Sequence, residues 1–139
     1  MNLPELLFNL TIHYNAIIRQ AASHLDLTVS QAFHLVSIPH GGISMSHLSR
    51  KLGLDTSTLT RNNQNLEKMG LVERFPDTYD KRVKNILLTQ QGVEIINNID
   101  GLLLESGHLI LGQIDLEHQE HILSVLERLV WSMDCIREK

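Results

Sequence analysis

The chain has 139 residues, of which 42% are hydrophobic and 20% are charged, with a net charge of −4. This composition is sufficient for one domain with a core, and it excludes an intrinsically disordered chain. No apolar run approaches the ~18 residues of a membrane-spanning helix, and no basic leader precedes one, so we expect a cytoplasmic protein without a membrane partner. The single cysteine, Cys135, has no partner for an internal disulfide, as is typical of a reducing compartment.

The charge is distributed unevenly along the chain. Between residues 44 and 84, eight lysines and arginines outnumber five acidic residues, whereas the rest of the chain is strongly acidic. A basic segment between acidic ones attracts phosphate at one surface while nonspecific attraction to polyanions stays low. The distribution therefore favours double-stranded DNA as a partner of the middle of the chain.

The N-terminal part of the chain predicts two helices. Residues 3–25 carry apolar side chains at spacings of three and four, which is typical of a helix with one broad apolar face. A second helix is predicted near 29–38, with Thr28 or Ser30 as its N-cap and Pro39 just after its end. The residues expected to face inward on this second helix are Ala32, Leu35, Val36 and Ile38.

Residues 46–70 predict two short helices joined by a tight turn, which is the layout of a helix-turn-helix. Ser46 is the expected N-cap of the first helix, and Gly53 ends it. Asp55 or Thr56 is expected to cap the second helix. The inner side of the second helix is expected to carry Leu59, Leu66 and Met69.

The outward side of this second helix carries hydroxyls, amides and one arginine. Such side chains reach base edges and phosphates when a recognition helix lies in the major groove of DNA. The alternative is a solvated face, where glutamate and lysine would be more usual because they are better helix formers. The residues expected to contact bases or phosphates in this region are Ser46, Ser57, Thr58, Thr60, Arg61, Asn62, Asn65 and Arg74.

Two short strand patterns follow, at 71–75 and 84–89, on either side of a polar loop. Two strands and a loop directly after a recognition helix predict a wing, although an ordinary hairpin would have the same pattern. We expect Arg82 to enter the minor groove, because a narrow groove concentrates negative potential. Asp80 should orient either Arg82 or Arg74 through a charge-assisted hydrogen bond. The wing residues expected to contact DNA are Asp80, Lys81, Arg82 and Lys84.

Two long helices are predicted at 90–112 and 116–137, the first of them capped by Thr89. The last helix and the first helix both carry more apolar surface than a small DNA-binding core can cover. This surplus predicts a homodimer joined through the terminal helices, which sets two recognition helices about one DNA turn apart. The residues expected in the dimer interface are Leu7, Leu10, Ile122, Leu126, Leu129, Met133 and Ile136.

Three segments occur in a specific order, namely LSRKLGLDTSTLTRNNQNLEKMGLVER at 48–74, DKR at 80–82 and LLTQQG at 87–92. In this order they resemble the MarR family of bacterial transcription regulators. The resemblance implies a mainly helical α+β winged helix-turn-helix of about six helices with a two- to three-stranded wing. It implies one domain over 1–139, with dimerisation helices at 1–25 and 90–139 and the DNA-binding region at 29–89.

The resemblance also implies a function. Members of the family are dimers that bind a near-palindromic operator, usually as repressors, and a small-molecule effector often releases them. The implied effector site would be lined by Tyr14, Ile17, Phe33, His34 and Ser37. These residues are also consistent with simple packing at the hinge between the two regions.

The sequence departs from the family pattern at two positions in the recognition helix. The family usually has apolar residues around positions 62 and 63, and here both are asparagine. Asn63 shares the inner face with the leucines, where an unpaired amide would cost roughly 1–3 kcal/mol. We expect Asn63 either to find a backbone partner or to leave the helix rotated or loosely packed.

Other functions have less support in the sequence than DNA binding. A winged helix can bind another protein without binding DNA, and the pairs Glu105/His108 and His118/His121 have the spacing of zinc ligands, which would suit a metal-responsive regulator. An acid-rich surface also accounts for these pairs, so no metal ligand is assigned. Phosphate-binding loops, nucleophile elbows and paired catalytic carboxylates are not found, so neither an enzyme nor a cofactor is expected.

Overall fold

The computed structural model describes residues 1–138. The elements are, in chain order, α1 (Leu3–Ser23), α2 (Val29–Val36), β1 (Ile43–Ser44), α3 (Met45–Leu52), α4 (Thr56–Lys68), β2 (Val72–Pro76), β3 (Lys84–Leu88), α5 (Gln90–Leu111) and α6 (Leu116–Arg137). The mainly helical winged helix-turn-helix predicted from the sequence is confirmed. Contacts divide the chain into two compact units, one of residues 1–103 and one that begins at Leu104. In the described part of the chain, the helices lack the combined length and apolar character that crossing a bilayer requires.

The three strands form one antiparallel sheet in the order β1-β3-β2. The central strand pairs on one side through Ile43 with Ile86, and on the other through Val72 with Leu88. The side chain of Ile86 is fully buried, whereas Lys84 at the other end of the strand is exposed. The sheet therefore contributes an apolar face to the core and carries the wing loop at its far end.

The first two helices begin with reciprocal capping bonds. Asn2 and Glu5 form such a pair at α1, and Thr28 and Gln31 form one at α2, so Thr28 is the cap of α2. The inward prediction is confirmed at Ala32, Leu35 and Ile38, which are all buried. It was wrong at Val36, which ends α2 with its side chain exposed.

The helix-turn-helix consists of α3 and α4. The hydroxyl oxygen of Ser44 accepts a hydrogen bond from the amide of His47 at 3.2 Å, so Ser44, not Ser46, is the N-cap of α3. The reason is that Ser44 is the last residue of β1 and already has the extended backbone of a cap. Gly53 ends α3 in the left-handed conformation, with φ of 66°, and Asp55 caps α4.

The core lies between the helix-turn-helix and the sheet. Leucines on three helices are fully excluded from solvent together with one isoleucine of the sheet. These residues are Leu35, Leu48, Leu59, Leu66 and Ile86. Met69, which was expected on the same inner side, follows the last residue of α4 and is exposed, so that prediction was wrong.

A junction connects the end of α4 to the start of α5. The hydroxyl of Thr89 donates to the carbonyl of Gly70 at 2.6 Å and accepts from the amide of Gly92 at 3.0 Å. The amide of Thr89 donates to the carbonyl of Leu71 at 3.1 Å. A side chain at Gly92 would overlap the same carbonyl of Leu71. Thr89 therefore caps α5, as predicted, and also fixes α5 to the turn that follows α4.

The second unit contains the end of α5 and the whole of α6. The amide group of Gln119 donates to the carbonyls of Leu111 at 2.9 Å and Ile114 at 3.0 Å, which closes the turn between the two helices. Within the described part of α6, no side chain is fully buried in the single chain. The large exposed apolar side chains of α6 include Val130, Trp131 and Ile136.

Candidate nucleic-acid interface

The helix α4 presents a polar face to solvent because its leucines are held in the core. Residues on a helix are rotated by about 100° from one to the next, so the side opposite Leu59 and Leu66 is determined by the sequence. That side carries the exposed residues Ser57, Arg61, Gln64, Asn65 and Lys68. The face has donors, amides and two positive charges, and no carboxylate. Lys68 was missed from the predicted contacts, although the same 100° rotation points to it.

The hydroxyl groups in the first turn of α4 are used inside the protein. Asp55 accepts hydrogen bonds from the hydroxyls of Ser57 at 2.7 Å and Thr58 at 2.9 Å, and from the amide of Thr58 at 2.8 Å. These bonds lower the pKa of Asp55 to about 2, with the Ser57 hydroxyl as the largest cause. The hydroxyl of Thr60 donates to the carbonyl of Thr56 at 2.8 Å. In this arrangement the hydroxyls offer acceptors outward, so the phosphate donors on α4 are its amides and cationic side chains.

Asn62 does not face solvent in the way that the sequence predicted. Its side-chain amide donates to the hydroxyl of Ser30 in α2 at 2.8 Å, and the residue is half-buried. Position 62 is three residues after Leu59 and four before Leu66, so it lies at the edge of the buried face. The contact of Asn62 with the major groove stays a prediction, and making it would require the amide to leave Ser30.

Asn63 is buried, as expected, with 2% of its surface exposed, but its partners are side chains and not the backbone. Its Oδ1 lies 3.0 Å from Nε2 of His34, and its Nδ2 donates to Oε1 of Glu67 at 2.8 Å. The same oxygen of Glu67 receives Nε of Arg74 at 2.9 Å. The four side chains form a continuous polar chain from α2 through α4 to β2. Sequence reasoning missed the chain because its members are far apart in sequence.

The wing carries an arginine that is almost fully exposed. The side chain of Arg82 is 92% exposed, and its Nε lies 3.2 Å from Oδ1 of Asp80. The backbone amide of Arg82 donates to the same oxygen at 3.0 Å. Of the two alternatives predicted for Asp80, the structure selects Arg82, because Arg74 is paired with Glu67.

A second carboxylate, Asp77, shapes the wing loop. It accepts hydrogen bonds from the backbone amides of Asp80 at 2.9 Å and Tyr79 at 3.1 Å, and from the side-chain amide of Asn85 at 3.1 Å. These bonds lower the pKa of Asp77, the Asp80 amide being the largest cause. Sequence reasoning missed this role, although an aspartate at the start of a polar loop is a usual turn signal.

The remaining predicted contacts occupy the same region. Ser46 is exposed in the first turn of α3, and Lys81 and Lys84 are exposed on the wing. A shallow depression between α4 and the sheet is lined by polar residues from both, including Thr60, Gln64, Arg74 and Lys84. The structure therefore brings residues of the recognition helix and of the wing strands to one surface.

The residues predicted to line an effector site do not share one environment. Tyr14 and Phe33 are exposed, and Ile17 and Ser37 are half-buried. His34 is fully buried, and its ring is bonded to Asn63. His34 therefore belongs to the polar chain of the core in this structure, and its role in an effector site stays a prediction.

The pairs Glu105/His108 and His118/His121, to which the sequence analysis assigned no metal, do not combine into a group of three or more potential ligands in the described residues. Among residues 1–138, the ligands close enough to share one ion come from Asp115, Glu117 and His118, all exposed at the start of α6. His121 and the pair Glu105/His108 are outside this group. Exposed acidic groups of this kind are common without an ion, so no metal role is assigned.

Comparison with known proteins agrees with this geometry. Residues 27–84 match the model of the MarR family. The uncharacterized helix-turn-helix-type transcriptional regulator YybA of Bacillus subtilis is 28% identical over 106 residues, which cover 76% of this chain and 71% of YybA.

Solved structures share the fold over nearly the whole chain. A crystal structure of MarR superposes on this chain with a TM-score of 0.87 at 24% identity. The match covers 99% of this chain and 95% of the MarR chain. A crystal structure of a mutant MarR from E. coli complexed with operator DNA has a TM-score of 0.76 at 25% identity. The match covers 91% of this chain and 92% of the MarR chain. The resemblance predicted from the sequence is confirmed: residues 27–84 match the MarR family model, and the chain has the winged-helix fold of MarR over nearly its whole length.

Proposed function

We propose that the protein is a DNA-binding transcription regulator, acting as a homodimeric repressor at a near-palindromic operator. The observation that carries this proposal is the exposed face of α4, with Arg61 and Lys68, next to a wing whose Arg82 is 92% exposed. The related E. coli MarR complexed with operator DNA supports it. The acidic surroundings of this basic segment confine the attraction for phosphate to one surface.

The recognition helix α4 would read bases in the major groove. Arg61 can bind a guanine edge through two donors, and Gln64 or Asn65 can bind an adenine edge through an amide. Lys68 and Arg74 would contact phosphates that flank the groove and would fix the position of the helix without reading sequence.

The wing would contribute a second contact. Arg82 would enter the minor groove, where a narrow A·T-rich segment concentrates negative potential. The two hydrogen bonds from the guanidinium group of Arg82 to the carboxylate of Asp80 restrict the side chain before DNA arrives. Such pre-organisation lowers the entropy lost on binding.

The dimer part of the proposal is supported by apolar side chains that a single chain leaves in water. In α6, Met133 is 47% and Ile136 is 73% exposed, and α1 exposes Leu10 and Ile12. Apolar surface of this extent marks an interaction site in a water-soluble protein. A second copy would cover it and would set two α4 helices at the spacing of one DNA turn.

Regulation by a small molecule is the third part of the proposal. It is supported by the resemblance to the MarR family, in which small molecules often release the regulator from DNA. Tyr14 and Phe33 expose aromatic surface in the first unit and are the residues on which such an effector would be tested. Release would require the effector to bind the free dimer more tightly than the DNA-bound dimer.

The test is selection of duplexes from a random library, followed by mobility-shift titration of the selected duplex at several salt concentrations. A dimer that contacts at least five phosphates should give a log–log slope of about −4 or steeper. A promoter fusion carrying the selected duplex should be less active when the protein is present. If no duplex is retained even at low salt, the chain is a protein-interaction module and the proposal fails.

A further inference from the structure

We infer that His34 and Asn63 are positioning residues for the DNA-reading surface. They set the rotation of α4 about its axis and hold Glu67 where it receives Arg74. The inference rests on the proposed function of α4 and names the residues on which that function depends inside the core.

The geometry is a chain of three short contacts across three elements. Nε2 of His34 in α2 lies 3.0 Å from Oδ1 of Asn63 in α4. Nδ2 of Asn63 lies 2.8 Å from Oε1 of Glu67, one turn further along the same helix. The same oxygen of Glu67 lies 2.9 Å from Nε of Arg74 in β2. The chain begins at a side chain with 0% exposure and ends at one that is half exposed.

The chemistry of the end groups fixes the direction of every bond. An ionised Glu67 only accepts, so the group of Asn63 that faces it is the amide NH₂. Oδ1 of Asn63 is therefore an acceptor toward His34, which must donate through Nε2–H. The remaining ring nitrogen, Nδ1, is buried without a hydrogen-bond partner, as suits an unprotonated nitrogen better than an N–H group. Burial, opposed by the bond to Asn63, lowers the pKa of His34, which agrees with a neutral ring.

Hydrogen bonds can fix the rotation of α4 about its axis, which apolar contacts alone leave adjustable. Leu59 and Leu66 hold α4 against the core, but apolar contact is non-directional and tolerates small rotations of the helix. A hydrogen bond weakens steeply once its angle departs from linear. Bonds from Asn63 to α2 and, through Glu67, to β2 therefore fix the angle at which Arg61 and Gln64 leave the protein.

The chain also places a candidate phosphate contact. Arg74 is engaged through Nε, so its Nη groups remain available as donors to a phosphate. Glu67 is held by Asn63 on the side of the core, which restricts where Arg74 can lie. Loss of Asn63 would release Glu67 and increase the freedom of Arg74.

The first test needs no DNA. Nitrogen NMR of the ¹⁵N-labelled protein at pH 7.5 should show His34 as the neutral tautomer with its proton on Nε2. A proton on Nδ1 would overturn the inference. A double-mutant cycle of unfolding with Asn63→Leu and Arg74→Ala should show coupling between the two sites, since they act on the same oxygen of Glu67. Strictly additive effects would also overturn it.

The second test separates positioning from stability. The readout is the ratio of affinity for the selected duplex to affinity for random duplex, measured at one salt concentration. Asn63→Leu should lower this ratio about tenfold, because a rotated helix loses base contacts while phosphate attraction remains. The double variant His34→Val/Asn63→Leu should recover stability, because neither buried polar partner remains unpaired, but it should not recover the ratio.

A matched control is Leu35→Val, which removes a buried methylene next to His34 and leaves the polar chain intact. It should lower stability and leave the ratio unchanged. If the double variant recovers the ratio together with stability, His34 and Asn63 only fill the core and the inference is wrong. If the wild-type protein retains no duplex, the proposed function fails. The inference is then tested only by the tautomer of His34 and by the double-mutant cycle between Asn63 and Arg74.

Discussion

At the first turn of the recognition helix, three hydrogen bonds from Ser57 and Thr58 converge on the carboxylate of Asp55. They require the ionised form, which is why its pKa falls from 3.8 to about 2 in the folded protein. A group whose pKa is lower in the folded state binds fewer protons there than in the unfolded chain. Its stabilising effect is therefore present above pH 3.8 and is lost as the pH falls through 2.

We predict that the free energy of unfolding of the Asp55→Asn variant depends less on pH in the acid range than that of wild type. Asparagine still caps a helix, but it does not titrate. The free energy of unfolding in urea, measured from pH 5 down to pH 2, should fall less in the variant than in wild type. Asp77, whose pKa is also lowered, is present in both proteins, so the difference between the two profiles reports Asp55. Parallel profiles would contradict the prediction.

A second prediction at this scale concerns the wing. Arg82→Ala should weaken binding to the selected duplex by roughly 1–3 kcal/mol, because the contact to the minor groove is lost. Sedimentation should show an unchanged oligomeric state. The matched control is Arg19→Ala, which removes an exposed arginine from α1. Equal losses in the two variants would mean that only general charge matters, and an unchanged affinity for Arg82→Ala would refute the wing contact.

Among the elements, the start of α5 depends most strictly on a small residue. Gly92→Ala would place a methyl group onto the carbonyl of Leu71, a backbone atom that cannot move without disturbing the junction. We predict a loss of about 1–3 kcal/mol in the free energy of unfolding, as for other overpacked sites. Urea denaturation measures it.

The same helix contains its own control. At Gly101 a methyl group would meet no atom outside the helix's own backbone and its chain neighbours within 4 Å, so Gly101→Ala should raise stability by about 0.4–1 kcal/mol through the unfolded state. Opposite signs at the two glycines are the expected result. A destabilised Gly101→Ala would show that α5 is not a regular helix at that point.

Most elements could be predicted because their signals are local. The apolar repeat of α6 and the caps Thr28 and Thr89 lie within a few residues of the structure that they specify. The prediction of Ser46 as the N-cap of α3 was wrong because Ser44 and Ser46 both have a side chain that suits the position. The choice of Ser44 depends on the pairing of β1 with β3, which is not a local signal.

The internal support of the site was not predictable for a similar reason. His34 and Asn63 are 29 residues apart, and neither has a spacing pattern that points to the other. The sequence alone shows that Asn63 departs from the family pattern, and the leucines on the same face of the helix predict its burial. Its partners required the packing of α2 and β2 against α4, which only the folded chain supplies.

For the whole molecule, the exposed apolar surface of the terminal helices predicts assembly. Leu126→Asp should convert a dimer to a monomer, because an unpaired charge would be buried in the interface. Ser124→Asp places the same charge on the opposite side of α6 and should leave the dimer intact. Light scattering after gel filtration distinguishes the two. A monomeric wild type, or a dimeric Leu126→Asp variant, would exclude this interface.

The junction at Thr89 has a mechanical consequence. One hydroxyl links the carbonyl of Gly70 to the amide of Gly92, so the last turn of α4 and the first turn of α5 are connected without an intervening flexible segment. A tilt of α5 would therefore strain both bonds unless the C-terminal end of α4 moved with it. We expect a displacement of the first turn of α5 to shift the orientation of α4 as well.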